Sequence, residues 1–452
     1  MQIIIAGCGK VGTTLVEQLS GEGNNVTVID QDYKKVQDLA NEYDVMGVVG
    51  NAASHRIQLE AGIEDADVLI AVTGSDELNL FCCLIAKKAG DCQTIARVRN
   101  PVYGSEIEFI KEELGLATII NPEHAAAMEI VRVLSFPSAI KIDTFAKGKV
   151  ELLKFKLSSN SPLDGISLIE ITTRLHCHIL ICAVQRGGEV FIPSGNFVLR
   201  SKDVIHFVAS HKNAIEFFEK IGVGSKPVKS TMIVGGGEIA YYLAARLLHR
   251  GIEVTIIEKN RERCDELSEL LPKALIINGD GSDQSLLLEE QLSGTEAFVA
   301  LTNFDEENIL LSLYARGQFH MKTVTKVNRI TFYDVINGLD LDTIIYPKNV
   351  TAESIIQFIR AMKNSIGSNV ERLYRLLENR VEALEFSIRE DSEVTNVSLE
   401  KLQLKENLLI ACIYRNGKII TPKGQDKIQK GDTVIVVTTI RGLNDICDIL
   451  KN

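Results

Sequence analysis

The sequence predicts an α/β protein built twice over: two doubly wound parallel-sheet domains, each followed by a small α+β module. Three observations carry this reading. Strand-like Ile3–Ala6 runs into Gly7-Cys8-Gly9-Lys10-Val11-Gly12, and Met232–Val234 runs into Gly235-Gly236-Gly237-Glu238-Ile239-Ala240. Each loop is followed by a second apolar strand ending in an acid, Val26–Ile29 with Asp30 and Val254–Ile257 with Glu258. Gly7 to Gly235 and Asp30 to Glu258 are both 228 positions apart. One glycine-rich loop arises by chance often enough; two in register with their acids do not.

In the first copy, Gly7 allows a tight turn, Gly9 lets a backbone approach a pyrophosphate, and Gly12 permits close helix–strand packing. A helix from Val11 to about Ser20 then points free N–H groups at an anion. Asp30 stands where a carboxylate binds a ribose hydroxyl and repels a 2′-phosphate, which favours NAD or another adenine nucleotide over NADP. The strand Val45–Val49 and Gly50-Asn51 come next. Val68–Val72 then leads into Thr73-Gly74-Ser75-Asp76-Glu77-Leu78-Asn79. If this strand lies beside the first, Thr73 and Gly74 face a nucleotide from the carboxyl edge of the sheet. Helix capping explains Asp76 and Glu77 as well as ligand contact does. Thr94–Arg99 carries Arg97 and Arg99 on one face, suiting either an exposed edge strand or a phosphate at the sheet edge.

Asn121-Pro122-Glu123 opens a helix to about Phe136. Beyond it the pattern turns to short alternating strands: Val150–Leu157, Ile179–Val184 and Glu189–Ile192 around a turn Gln185-Arg186-Gly187-Gly188, Val204–Val208, then a helix near Asn213–Ile221. His176-Cys177-His178 looks like a metal cluster, but strand alternation sends adjacent side chains to opposite faces, which fits surface and core residues. Lys226-Pro227-Val228-Lys229 is the linker to the second half, where the same succession returns. Thr302-Asn303-Phe304-Asp305 matches Thr73 onward, Lys326 and Asn328 replace Arg97 and Arg99, Asp280 replaces Asn51, and Ala240 replaces Gly12. Lysine and asparagine offer a phosphate no bidentate fork, so two sites of unequal strength are expected.

Composition bounds the function. The chain of 452 residues is 45% hydrophobic and 24% charged, ordinary for a globular protein with a sizeable core. Its net charge of −11 argues against nucleic-acid binding, which relies on clustered Lys and Arg. No apolar run approaches the ~18 residues of a membrane span. The N-terminus reads as a strand rather than a signal segment, so a cytoplasmic protein is expected. Nine cysteines without C-x-x-C spacing fit reduced, mostly buried thiols, with Cys8 set apart inside the first loop.

These residues resemble the RCK (KTN) regulators of potassium transport, and the tandem copies are similar to those of the peripheral subunit of bacterial Trk potassium-uptake systems. The resemblance rests on I-I-I-A-G-C-G-K-V-G (3–12), V-T-V-I-D (26–30), A-V-T-G-S-D-E-L-N (71–79) and A-R-V-R-N-P (96–101). In the second half it rests on I-V-G-G-G-E-I-A (233–240), V-T-I-I-E (254–258), G-D-G-S-D (279–283) and A-L-T-N-F-D-E-E-N (300–308). It implies Rossmann-like RCK N-terminal domains over 1–124 and 229–349 and RCK C-terminal domains over 141–224 and 370–452. It also implies a non-enzymatic regulator that binds NAD(H), or ATP/ADP in the same sites. The implied contacts are Gly7, Cys8, Gly9, Lys10, Val11, Asp30, Thr73, Gly74 and Arg97. The second set is Gly235, Gly236, Gly237, Glu238, Ile239, Glu258, Thr302, Asn303 and Lys326. The implied partner is an integral Trk-type potassium transporter at the cytoplasmic face of the inner membrane. The chain itself is expected to form a homotetramer, connected through the helices at Asn121–Phe136 and Pro347–Met362. A rival reading, an NAD-dependent oxidoreductase, needs a proton-transfer group poised at the nicotinamide, which the duplicated modules do not offer. A third has the C-terminal modules sense a second ligand.

Overall fold

A computed structural model describes residues 1–100, 103, 106–224, 227–329, 333–339, 341–364, 370–377 and 380–451. Pro101 of the 96–101 motif, Lys226 of the linker and Asn452 lie outside the described residues. Six strands open the chain: β1 (Gln2–Ala6), β2 (Asn25–Asp30), β3 (Met46–Val49), β4 (Val68–Ala71), β5 (Gln93–Arg97) and β6 (Thr118–Ile120). The first small module contributes β7 (Lys141–Phe145), β8 (Val150–Lys156), β9 (Leu180–Arg186), β10 (Glu189–Phe191) and β11 (Val204–Ala209). The succession repeats as β12 (Ser230–Val234), β13 (Glu253–Glu258), β14 (Leu275–Asn278), β15 (Ala297–Ala300), β16 (Lys322–Lys326) and β17 (Thr343–Ile345). The second module supplies β18 (Val370–Leu376), β19 (Val381–Ser387), β20 (Leu408–Arg415), β21 (Lys418–Ile420) and β22 (Thr433–Thr438).

The sheet orders are β3-β2-β1-β4-β5-β6 and β14-β13-β12-β15-β16-β17, one topology used twice. All pairings in both are parallel. Parallel strands are covered by helices on both faces, which is why Ile3, Ile4, Ile5 and Ala6 are buried in succession with no alternation. The order reverses beside β1 and β12, so a crevice opens at the carboxyl ends of β1 and β4, and of β12 and β15. The small modules are antiparallel, in the matching orders β10-β9-β11-β8-β7 and β18-β19-β22-β20-β21.

Two compact units form, Met1–Val131 with Lys229–Ile356 and Arg132–Val228 with Gln357–Asn452. Like joins like. In the first unit the parallel-sheet copies meet where Asn121 Nδ2 donates to Tyr242 Oη at 3.0 Å and the His124 ring stands edge-on to Tyr242 at 5.4 Å. In the second unit one core interleaves Phe145, Leu152, Cys182 and Val208 with Tyr374, Val381, Cys412 and Val437. The Phe145 and Tyr374 rings meet edge-to-face at 5.0 Å. Arg372 Nη1 and Tyr374 Oη both donate to the Thr144 carbonyl, at 2.6 and 2.9 Å.

His206 on β11 is buried in the second unit, and its Nδ1 has no hydrogen-bond partner. Burial, followed by Lys154 and Lys141, pushes its pKa down from 6.5 to about 3. The unfolded chain therefore binds a proton that the folded chain refuses between those values, and stability falls as the pH drops from 6.5 towards 3. His206→Phe should flatten this part of the stability-versus-pH curve; an unchanged slope would mean that His206 is not its source.

Three expectations need correction. β5 lies between β4 and β6, so the strand bearing Arg97 is not an edge, and Arg99 falls beyond its end. The hairpin turn is only Gly187-Gly188, with φ of +55° and +88°, because strand pairing runs through Gln185 and Arg186. A two-residue turn with both φ positive suits glycines, and Asn416-Gly417 repeats it at +48° and +82°. Residues 176–178 precede β9 rather than alternating along it. His176 leaves the helix Leu168–Leu175 with φ of +47°, and the two histidines are exposed while Cys177 is buried. Of the nine cysteines, all free, only Cys447 is less than buried.

Candidate functional site

Each glycine loop is shaped by close approach to the neighbouring strand. Gly7 has φ of +111°, and a Cβ there would lie 2.9 Å from the carbonyl of Val72; Gly235, at +97°, is equally near the carbonyl carbon of Leu301. Only glycine satisfies both constraints. Gly9 and Gly237 are the N-caps of the helices Lys10–Ser20 and Glu238–His249, with nothing within 4 Å of where a side chain would begin. Helix N–H groups therefore open onto free space above each loop, the arrangement that receives an anion. A Cβ on Gly12 would lie 1.9 Å from the Gly7 carbonyl oxygen, whereas buried Ala240 occupies the matching place in the second copy. Val11 and Ile239 are buried beneath the helix starts.

The strand-ending acids brace these loops. Asp30 accepts the Cys8 amide through Oδ2 at 2.7 Å and the Asp32 amide through Oδ1 at 3.0 Å. Glu258 repeats the brace on Gly236 at 2.6 Å and Asn260 at 2.7 Å. The longer glutamate takes space that a side chain at 236 would need: a Cβ there would be 3.1 Å from Glu258 Cβ and 2.7 Å from Leu267 Cδ1. In the first copy the shorter Asp30 leaves room for Cys8. Burial, then Asp30, pushes the Cys8 thiol up to about 12, so it stays protonated and unreactive.

The 71–79 motif has a structural meaning that sequence pattern alone did not reveal. Asn79, fully buried, accepts the Thr73 amide and hydroxyl through Oδ1, both at 2.7 Å, and donates Nδ2 to the Arg97 carbonyl at 2.8 Å. It stitches the end of β4 to the end of β5. Asn308 does the same for Thr302 and Lys326, at 2.9, 2.8 and 3.0 Å. Asp76, buried at the start of its helix, accepts the amides of Arg99 and Asn100 at 2.8 and 2.9 Å, and Asp305 holds Asn328 and Arg329 likewise. Ser75 caps that helix through the Leu78 amide. Arg97 donates to the Thr73 carbonyl and Arg99 to the Gly74 carbonyl, so both arginines trim the edge that Thr73 and Gly74 present. Lys326 is instead buried, with Asp305 and Glu123 as its charged neighbours. Exposed Asn303 stands in the place of Gly74.

The largest difference between the copies lies at the helix start. Lys10 is exposed, whereas Glu238 is ion-paired with Arg263, Oε1 to Nη2 at 3.1 Å. Arg263 also donates Nε to the Gly236 carbonyl at 2.7 Å and pairs with Glu266 at 2.7 Å, lying across the second loop. Around it a cleft of about 900 Å³ is shared by the two copies, with Gly74–Glu77, Arg99 and Glu123 on one side and Glu238, Tyr241, Arg263 and Glu266 on the other. Sequence reasoning missed Arg263 and Glu123. Arg263 carried a faint signal, since it stands 228 positions after Lys35; Glu123 carried none, because its place depends on how the copies pair.

Comparison with known proteins follows this geometry. The TrkA-N domain model matches residues 3–122 and 231–347, and the TrkA-C domain model matches 152–222 and 383–451. The chain is 31% identical over 440 residues to the Trk system potassium uptake protein TrkA of Haemophilus influenzae, covering 96% of this chain and 95% of that one. It is 32% identical over 457 residues to the TrkA homolog 1 of Methanosarcina mazei, covering 99% of each. Among solved structures it is similar in fold to the GsuK channel bound to NAD, with a TM-score of 0.62 at 17% identity, over 97% of this chain and 76% of that one. The GsuK RCK domain gives the same TM-score and identity, over 96% of this chain and 92% of that one.

Proposed function

Because the chain belongs to the TrkA family of Trk system potassium uptake proteins, we propose that it is the regulatory subunit of a Trk-type potassium transporter and that nucleotides act on it at its glycine loops. The observation that carries this is the paired loops: two helix starts of one backbone geometry, each uncrowded at its N-cap glycine and each braced by its own acid, within one compact unit. NAD(H) and ATP or ADP all present adenine, ribose and phosphate to such a loop, and a similar fold is that of a channel bound to NAD. Thr73, Gly74 and Arg97 would face the ligand from the carboxyl edge in the first copy, and Thr302, Asn303 and Lys326 in the second.

A regulatory role fits better than hydride transfer. Asn79 commits its amide, and Asp76 its Oδ2, to backbone groups, which couples the edge under a ligand to the strands below it and gives these two side chains a bracing role. No helix among the described residues is long and apolar enough to cross a membrane. Permeation is therefore assigned to an integral partner, with this chain at the cytoplasmic face. Moving a two-state gate almost completely needs about 5 kcal/mol of differential affinity. A homotetramer, with several loops per assembly, shares that load.

The test is potassium flux through vesicles holding the chain with its co-purified membrane partner, with NADH, ATP and ADP supplied separately. At least one nucleotide should change the flux. Identical flux with all three would remove the gating reading, whatever binding measurements show.

A further inference from the structure

The two loops share a backbone but not a charge. Lys10 and Glu238 each stand first in their helices, at the same distance from the first glycine of their loops. A lysine there adds to the attraction of the helix N-terminus for phosphate; a glutamate opposes it. Arg263 does not restore the balance. Its Nε is spent on the Gly236 carbonyl and its other nitrogens on Glu238 and Glu266, with the side chain only 17% exposed. Lys35, its counterpart by position, is 55% exposed and pairs with Asp32 at 3.4 Å.

The reversal extends to what each copy lends the other. Glu123 and Lys348 each follow the proline that opens the helices Pro122–Ser135 and Pro347–Asn364. Glu123 lines the cleft that Glu238 and Arg263 of the other copy also line. The matching position in the second copy carries a lysine, Lys348, so the acid that Glu123 adds to the cleft of Glu238 has a base as its counterpart.

On the reading that the loops bind nucleotides, we infer that Lys10 makes the first loop the site for phosphate-bearing nucleotides, while Glu238, held at the second loop by Arg263, excludes them. Glu238 sets the protein's own carboxylate at the start of the helix, where it repels an incoming phosphate. The second loop is then a specificity filter, and the chain reports one phosphate ligand per copy pair rather than two.

Calorimetric titration of the full chain with ADP tests this. The wild type should bind one ADP per chain. Glu238→Lys should add a second site, with Glu238→Gln intermediate, and Lys10→Glu should abolish the first. Melting curves of each variant confirm that it folds. Two equal sites in the wild type, or a stoichiometry that Glu238→Lys leaves at one while Lys10→Glu still abolishes it, would overturn the inference but leave nucleotide binding standing. No ADP or NADH binding by any variant would overturn both.

Discussion

Asn79→Leu should destabilise the first parallel-sheet copy by about 3–5 kcal/mol, since buried polar groups left unpaired cost roughly 1–3 kcal/mol each. Leucine keeps asparagine's branched outline with bulkier methyl groups in place of the oxygen and nitrogen, so hydrogen bonds are lost and no cavity is left. The Thr73 amide, the Thr73 hydroxyl and the Arg97 carbonyl would all lose their partner. No water can replace it, because Asn79 is fully buried. Thermal unfolding should show an early transition for the first copy, and Asn308→Leu should produce the same effect in the second. The loosened edge also carries Thr73 and Gly74, so ADP binding at the first loop should weaken at temperatures where the copy remains folded. A variant as stable as the wild type would mean that the motif is not the brace described.

Asp432→Ala should cost the second small module about 3 kcal/mol, the lower end of what breaking a buried ion pair costs. Asp432 is fully buried, and both its oxygens accept from Arg415, Nε and Nη2, at 2.7 Å; its Oδ2 also accepts the Gln429 amide at 2.8 Å. Removing it strands a fork-shaped cation and an amide together. Arg415 keeps 26% exposure, so water recovers part of the loss. Arg415→Lys should recover little of the pair, since an ammonium cannot present two parallel donors. Asp203 holds Arg186 and the Arg200 amide in the same way, so Asp203→Ala should match it in the first module. Calorimetry of the full chain reads both; a shift of less than a degree would refute the assignment.

Much of this was legible from residue order because it is local. Period-two and period-3.6 patterns place the strands and helices, and the glycine loops announce themselves because only glycine tolerates φ near +100° beside a strand carbonyl. The 71–79 motif was visible as a pattern, but its work was not. Asp76 could be read as a cap or a ligand contact and Asn79 only as part of the pattern, and only the strand order β4-β5 shows that they tie two strand ends together. Arg186 was placed in a turn because it adjoins two glycines; its backbone pairs with Glu189 within the hairpin, and its side chain pairs with Asp203, just ahead of β11. Lys326 looked like a weaker Arg97, yet burial beside Asp305 gives it a different setting.

The sequence by itself determined that the chain is a duplication, that each half is an α/β sheet followed by an antiparallel module, and where the two loops and their acids stand. These follow from short-range chemistry that repeats at a constant spacing. Only the tertiary structure decided that the copies pair like with like, so that Asn121 meets Tyr242, 121 positions away, and Glu123 reaches the cleft of the second loop. No periodicity encodes such a meeting; it is settled by which apolar faces and polar partners fit once both copies exist. That pairing adds Glu123 to the cleft where Glu238 already stands.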